Sequence, residues 1–257
     1  MQDTDKKSRR QSKLVAHLQA HRFISLDDIA SRFSVTTQTA RRDLMELENA
    51  GIVRRLHGGA MLANGAIDPP TLRNRRVENA AAKDRIAAKI ADLVVDGSSI
   101  FLDTGTTCEA VARALTMRRN LRTVTYGLRA ATTLCEVEGF SVAVPGGFVR
   151  NVDAGVFRHD TVDFIGRFKF DIAIISVSSI DADGDMCDDD HGEVQAVHAA
   201  MRQAEKTILA VDQTKFLRRA LVRLGSIRDV DLLVTDSPPA TELSRLLTEA
   251  GVTVVLV

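Results

Sequence analysis

The stretch Ile24–Asp43 reads ISLDDIASRFSVTTQTARRD, and two capped helices can be read from it directly. Ser25 has the chemistry of an N-cap, and Asp28 three residues later can complete a capping box. Ile24 and Ile29 occupy the staple positions outside and inside that cap. Ala30 and Phe33 then continue an apolar face at helical spacing. The signals repeat with Thr36 as N-cap, Val35 and Ala40 as staple, and Leu44 and Leu47 on one face. Asn49-Ala50-Gly51 supplies the stop, with Gly51 suited to the left-handed residue after a helix. Two such helices joined by a turn of three or four residues predict a helix-turn-helix. Its second helix presents Thr37, Gln38, Arg41 and Arg42 on or near exposed first turns, beside Thr36 and Thr39. Arginine can hold guanine, and glutamine adenine, through paired hydrogen bonds in the major groove.

On the N-terminal side, Ser8–His21 reads as a first helix with Leu14 and Leu18 on one face. On the C-terminal side, residues 51–56 read as a strand, followed by His57-Gly58-Gly59 and the apolar run Ala60-Met61-Leu62. Two short apolar runs around Gly-Gly predict a hairpin, which here would be the wing of a winged helix. Arg54, Arg55, His57 and Gly58 would lie on that wing. Arg54, Arg55 and His57 would face DNA phosphates or a minor groove, and phosphate contact by the wing arginines with Lys6, Lys7, Arg9 and Arg10 would give affinity without sequence information. Taken alone, Arg41 and Arg42 are most simply solvated helix charges. Caps, turn length and hairpin together favour double-stranded DNA as the partner.

The chain has 257 residues and a formal net charge of zero. That neutral sum hides a division. Residues 1–76 hold 14 Lys+Arg against 8 Asp+Glu, and residues 77–257 hold 20 against 26, giving +6 and −6. A basic head and an acidic body imply different partners. No apolar run reaches the roughly 18 to 20 residues of a membrane span, and MQDTDKKSRRQSK lacks the apolar core of a secretory signal. Cys108, Cys135 and Cys187 are widely spaced, without a Cys-x-x-Cys pair, which suits reduced thiols in the cytoplasm. Residues 64–79, NGAIDPPTLRNRRVEN, carry Asn-Gly, Pro-Pro and a basic cluster with no sustained apolar period. The expected organisation is a winged helix-turn-helix over 1–62, a linker over 63–79, and a second domain over 80–257.

In the second domain strands and helices alternate. Helices are expected over 80–95, 108–117, 128–137, 191–205 and 239–250, and strands over 99–102, 123–125, 140–144, 170–175, 207–211, 231–235 and 252–256. This predicts an α/β fold with a mostly parallel sheet, whose ligands bind beyond the carboxyl ends of the strands. Asp103-Thr104-Gly105-Thr106-Thr107 stands at one such end, opening a helix. Its glycine, hydroxyls and first-turn amides can cradle an anion. It has neither the Gly-Lys-Ser/Thr of a Walker loop nor the spaced glycines of a dinucleotide fingerprint, and a plain capped helix start would look the same. Gly146-Gly147 stands at a second strand end. Asp212-Gln213-Thr214-Lys215 stands at a third and brings a cation. Together they suit a small phosphorylated ligand.

QTARRDLMELENAGIVRRLHGGA resembles the helix-turn-helix and wing signature of the DeoR family of bacterial transcription regulators, with Ala40 where isoleucine is usual. LDTGTT, the Gly-Gly after the 140s strand, DQTKF and LLVTD resemble the same family's sensor domain. The resemblance implies a fold like ribose-5-phosphate isomerase, a phosphorylated small-molecule inducer, operator DNA, a homodimer or homotetramer, and neither cofactor, metal nor enzymatic activity. It places Asp103, Gly105, Thr106, Thr107, Gly146, Gly147 and Lys215 around the inducer. TVDFIGRFKFDIAIISVSSIDADGD, LVRLGSI and TDSPPA are most like the branch whose inducer is glycerol 3-phosphate. There are departures too. Thr125-Tyr126-Gly127 replaces a usual Thr-Asn-Ser/Asn, Ser176–Ser179 stands where glycines are common, and Val197-His198 stands where a Lys-Arg pair is common.

Other motifs lead less far. Asp181-Ala-Asp183-Gly-Asp185 begins like a calcium loop, but Met186 and Gly192 stand where its glycine and closing glutamate belong. Asp188-Asp189-Asp190-His191 reads as a solvated acidic loop. His191, His198 and Cys187 lack a metal-ligand spacing, and Cys108 reads as a small core residue. The competing function is a sugar-phosphate isomerase with Glu193 as base and Lys215 on the phosphate. It leaves the helix-turn-helix without a purpose. A third reading is a repressor sensing a different anion.

Overall fold

The computed structural model describes residues 2–21, 23–50, 52–56, 59–62, 72–151, 153–157, 160–217 and 220–257. The chain divides into two compact units, residues 1–70 and 71–257.

The first unit runs α1 (Gln2–His21), β1 (Phe23–Ser25), α2 (Leu26–Arg32), α3 (Thr37–Asn49), β2 (Val53–Leu56) and β3 (Gly59–Leu62). Both expected caps form. Ser25 Oγ accepts from the Asp28 amide at 3.0 Å, and Thr36 Oγ1 from the Thr39 amide at 3.2 Å, each satisfying a donor that the helix leaves open. Leu14 and Leu18 of α1 meet Ile24, Ile29, Ala40, Leu44, Leu47, Val53 and Ala60 in one buried cluster. The hairpin β2–β3 is present, and β1 joins it to make an antiparallel sheet of order β1-β3-β2. That third strand was not expected: Phe23–Ser25 is too short to show a period, and only pairing with residues 59–61 defines it. Gly51, His57 and Gly58 lie outside the described residues.

The second unit opens with α4 (Leu72–Val77) and α5 (Ala80–Leu93). Residues 72–77, expected within a linker, are therefore helical and belong to this unit. The order continues β4 (Ser99–Leu102), α6 (Thr106–Leu115), β5 (Arg122–Thr125), α7 (Leu128–Cys135), β6 (Ser141–Ala143), the hairpin β7 (Phe148–Val149) and β8 (Val156–Phe157), and α8 (Thr161–Ile165). Then come β9 (Phe170–Ile175), β10 (Ser179–Ile180), β11 (Asp185–Asp188), α9 (His191–Met201), β12 (Ala204–Ala210), β13 (Val222–Ser226), β14 (Leu232–Thr235), α10 (Thr241–Glu249) and β15 (Thr253–Leu256). The helix expected over 191–205 stops at Met201, because residues from Ala204 onward pair with β9 from Phe170.

Seven parallel strands form the main sheet in the order β15-β14-β12-β9-β4-β5-β6. Side chains alternate across it. Ile100, Leu102, Ile172, Ile174, Ile208 and Ala210 pack under α5, α6 and α7, whereas Phe101, Ala173, Ile175 and Leu209 pack under α9 and α10. A sheet covered on both faces explains why FDIAII is almost continuously apolar. Beside it β10, β11 and β13 make a small antiparallel sheet.

From β4 the chain proceeds outward through β5 to β6. It then returns to the far side of β4 as β9 and proceeds the other way through β12, β14 and β15. The topological switch point lies between β4 and β9, and the crevice beyond their carboxyl ends is where ligands bind in such sheets.

Candidate functional site

At that switch point stands the loop 103–107. The Asp103 amide bonds the Ile174 carbonyl at 3.0 Å, joining the ends of β4 and β9. Its carboxylate takes the Thr104 amide at 2.8 Å, the Ser176 amide at 3.0 Å and the Tyr126 hydroxyl. Burial raises its pKa to about 7, against those three hydrogen bonds, which favour the anion. Asp103 thus faces protein donors and sets the shape of the loop. Gly105 follows at φ +102°, a backbone that favours glycine, and caps α6. Thr106 and Thr107, both buried, open the helix. Cys108 in that first turn is buried, and burial pushes its thiol pKa well up, consistent with a core residue.

Other carboxyl-end loops flank this one. After β5, the Tyr126 ring sits 5.0 Å from Phe157 and 6.0 Å from Phe101. Gly127 lies so close to Thr104 that an added Cβ would be 3.3 Å from its hydroxyl. Gly146 and Gly147 follow β6 and are exposed. After β9, Ser176 Oγ donates to the Ala210 carbonyl at 2.9 Å. After β12 a 3-10 turn over Gln213–Leu217 carries Lys215, only 6% exposed. There the Asp212 carboxyl is kept below the usual range although burial opposes it. Hydrogen bonds from Thr214 and Asn79 and the charge of Lys215 outweigh the burial. Every one of the expected loops therefore ends on the same edge of the sheet, with Lys215 two strands from Gly105.

Sequence reasoning missed Tyr126 and Ser176 as partners of Asp103; it registered them only as departures from a pattern. It missed α4 and its arginines, because six residues with no apolar period carry no helical signal. It also missed Arg150. That guanidinium lies 4.5 Å over the Phe157 ring, pairs with Asp190 at 3.0 Å, and binds Asp153 and Glu193. Arg150, Phe157 and Asp190, with Phe148, Thr161 and Gln195, line a cleft of about 500 Å³. Glu193, the base of the isomerase reading, is held by Arg150. Among the described residues no group of three or more His, Cys, Asp or Glu is placed to hold a metal ion, and Asp181–Asp185 forms a tight turn between β10 and β11.

In the first unit, α3 buries Ala40, Asp43, Leu44 and Leu47 and leaves Thr37, Gln38, Arg41 and Arg42 exposed, with the cap Thr36 exposed and Thr39 half-buried beside them. Arg42 reaches Glu46 only at 3.6 Å and stays largely solvated. The exposed first turns of a capped helix carry donors of the kind that reads base edges. Arg54 and Arg55 lie on β2.

Comparison with known proteins agrees with both units. Residues 10–65 match the DeoR-like helix-turn-helix domain, and residues 78–237 the DeoR C-terminal sensor domain. The glycerol-3-phosphate regulon repressor of Escherichia coli K12 is 38% identical over 244 residues, covering 95% of this chain and 96% of that protein. Its namesake in Haemophilus influenzae is 38% identical over 91% of each chain. The HTH-type transcriptional repressor CsqR of Escherichia coli K12 is 34% identical over 96% of this chain and 94% of its own. Among solved structures, ribose 5-phosphate isomerase A of Neisseria gonorrhoeae overlaps 53% of this chain and 54% of its own, at 16% identity and a TM-score of 0.37. That last likeness has no bearing on activity. With a matching reading unit, a matching sensor unit and relatives aligned over nearly its whole length, the chain belongs to the DeoR family of helix-turn-helix regulators.

Proposed function

We propose that the protein is a transcriptional repressor whose second unit senses a small phosphorylated molecule, glycerol 3-phosphate, and thereby controls its hold on operator DNA. The observation that carries this reading is that Gly105, Thr106 and Thr107 at the switch point, and the nearly buried Lys215 two strands away, stand at the same carboxyl end of a parallel sheet. Backbone amides at the start of α6 and a lysine together suit a phosphate group. The named relatives support the choice of ester. Thr36, Thr37, Gln38, Thr39, Arg41 and Arg42, with Arg54, Arg55, His57 and Gly58 of the wing, form the DNA-reading set, and residues 80–257 also carry oligomerisation in the cytoplasm. Two copies would set the spacing of two reading heads over an operator with dyad symmetry. Inducer shifts that equilibrium only by its differential affinity for the two states.

The test is a panel of phosphate esters, followed by thermal unfolding and by release of DNA selected in vitro with the full chain. Ligand at about 100 times its dissociation constant adds roughly 2.7 kcal/mol. No response to glycerol 3-phosphate in either measurement would overturn the assignment of inducer. A second reading, a repressor taking a different phosphate ester, is favoured by Tyr126, whose ring and hydroxyl fill space beside Asp103.

A further inference from the structure

α4 is tied to the two strand-end loops that hold Gly105 and Lys215. Arg76 makes a two-pronged bond to Glu109 in the first turns of α6, at 2.7 and 2.9 Å. Lys83 Nζ donates to the carbonyls of Arg75 and Glu78 at 2.5 and 2.6 Å, gathering the end of α4 onto α5. Asn79, at φ +54°, donates to Asp212 at 3.1 Å in the loop that leads to Lys215. These bonds consume Arg76, Lys83 and Asn79.

Arg75 differs from its neighbour. Its side chain is half-buried and makes no hydrogen bond or ion pair among the described residues. Its Nη2 lies 3.8 Å from where a Cβ on Gly105 would be. The guanidinium is thus parked over the glycine of the loop, where no side chain intervenes. The charges of Lys215 and Arg75 both bear on the Cys108 thiol, one residue beyond Thr107. A half-buried guanidinium beside a helix start, with no hydrogen bond or ion pair among the described residues, is arranged for an anion from solution. Arginine matches phosphate with two parallel donors.

We propose that Arg75 is a ligand-binding residue of the sensor, clamping the phosphate of the effector from α4 against Gly105–Thr107. This rests on the reading that these loops take a phosphate ester. It adds how occupancy leaves the site. Leu72, the first residue of α4, is two positions beyond Pro70, where the DNA-reading unit ends. The ligand therefore pulls on the segment of the second unit that is covalently nearest to the reading head. Without ligand, α4 keeps the bonds of Arg76, Lys83 and Asn79.

The experiment uses the full chain with sn-glycerol 3-phosphate and inorganic phosphate as probes, followed by titration calorimetry and amide hydrogen exchange. Arg75→Ala should unfold at the same temperature as the parent without probe, because the guanidinium makes no hydrogen bond or ion pair among the described residues. It should bind sn-glycerol 3-phosphate about tenfold or more weaker, the worth of a charged hydrogen bond, and Arg75→Lys should recover part of that loss. Arg113→Ala, which removes one positive charge from the far end of α6, should bind as the parent does. Probe should slow exchange of the amides of residues 72–77 in the parent and leave them unchanged in Arg75→Ala. Parent-like affinity of Arg75→Ala, with both probes still binding, would overturn the role of Arg75 and leave the phosphate reading standing. Binding to the parent without any change in the 72–77 amides would overturn the clamp. Failure of both probes to bind the parent would remove the phosphate reading, and this inference with it.

Discussion

Arg10 holds Asp43 through two hydrogen bonds, Nε to Oδ2 at 2.5 Å and Nη2 to Oδ1 at 3.0 Å, across 33 positions of sequence. The pair ties α1 to the helix that carries Arg41 and Arg42. Asp43 is 2% exposed, and beside it Lys7 and Gln11 hold Glu46 at 2.7 and 2.9 Å. Hydrogen bonds from Lys7, then from Gln11, keep the Glu46 carboxyl below its usual range. In the run Arg41-Arg42-Asp43 the two cations face outward and the anion inward. Arg10, which reads in sequence as one more phosphate contact, is engaged inside the unit. Asp43→Asn leaves Arg10 facing an amide at a buried position. It should cost the first unit about 2 to 4 kcal/mol, toward the lower end for broken buried pairs because Arg10 is partly exposed. Hydrogen exchange of the α3 amides measures this, and parent-like protection would show that the pair is dispensable.

The caps give a smaller and more local effect. Thr36→Ala removes the acceptor for the Thr39 amide and should cost about 1 kcal/mol, whereas Thr36→Ser should be close to neutral. A chemical denaturation series on the full chain, read through the α3 amides, separates the two variants.

DNA reading divides by residue. Arg41→Ala, on the exposed first turns of α3, should relax base preference at one operator position by about 1 to 3 kcal/mol. Arg54→Ala, on β2, should weaken all sequences alike and reduce the salt slope by roughly one. Binding to randomised duplexes at several salt concentrations tests both, and equal effects on every sequence from both variants would sink the division.

Asp103 gives a pH dependence whose sign is opposite to that of an ordinary paired aspartate. Its folded pKa is raised to about 7, chiefly by burial. The folded chain keeps this proton over a range in which the unfolded chain, near 4, has lost it. The contribution to stability is therefore complete below about pH 4 and is lost as pH rises through about 7. Asp103→Asn should remove that part of the decline in melting temperature between pH 4 and pH 8. Tyr126→Phe deletes a hydrogen bond that favours the carboxylate and should extend the decline to higher pH. A decline unchanged in Asp103→Asn would assign it to other groups.

Gly105→Ala tests the loop by its backbone. The added Cβ would lie at ordinary contact distance from Arg75, so the cost arises from the backbone at φ +102°, ψ 168° and should be about 1 to 3 kcal/mol. Phosphate-ester binding should fall with it, because the loop must change course to relieve the strain. Thermal unfolding with and without sn-glycerol 3-phosphate measures both effects.

Local sequence alone determined the reading head and the layout of the sheet. Capping chemistry acts over three or four residues, so Ser25, Asp28, Thr36 and Ala40 marked both helices without any knowledge of what they pack against. The buried strands at 99–102 and 170–175 and the helices between them are equally legible, because a covered parallel sheet demands continuous apolar runs. Tertiary structure alone decided the rest. The strand at Phe23–Ser25 exists only through its partner, α4 is helical without any apolar period, and Arg10 meets Asp43 only once α1 and α3 have packed. Order at the sheet's edge is also a matter of topology: the return from β6 to β9 sets Asp103 against Ser176 and creates the crevice. The strand-end loops could be picked out in the chain as candidate sites. Which side chains close over them depends on contacts between residues far apart in sequence, from 23 positions for Tyr126 with Asp103 to 133 for Asn79 with Asp212, and no local pattern encodes a contact of that range.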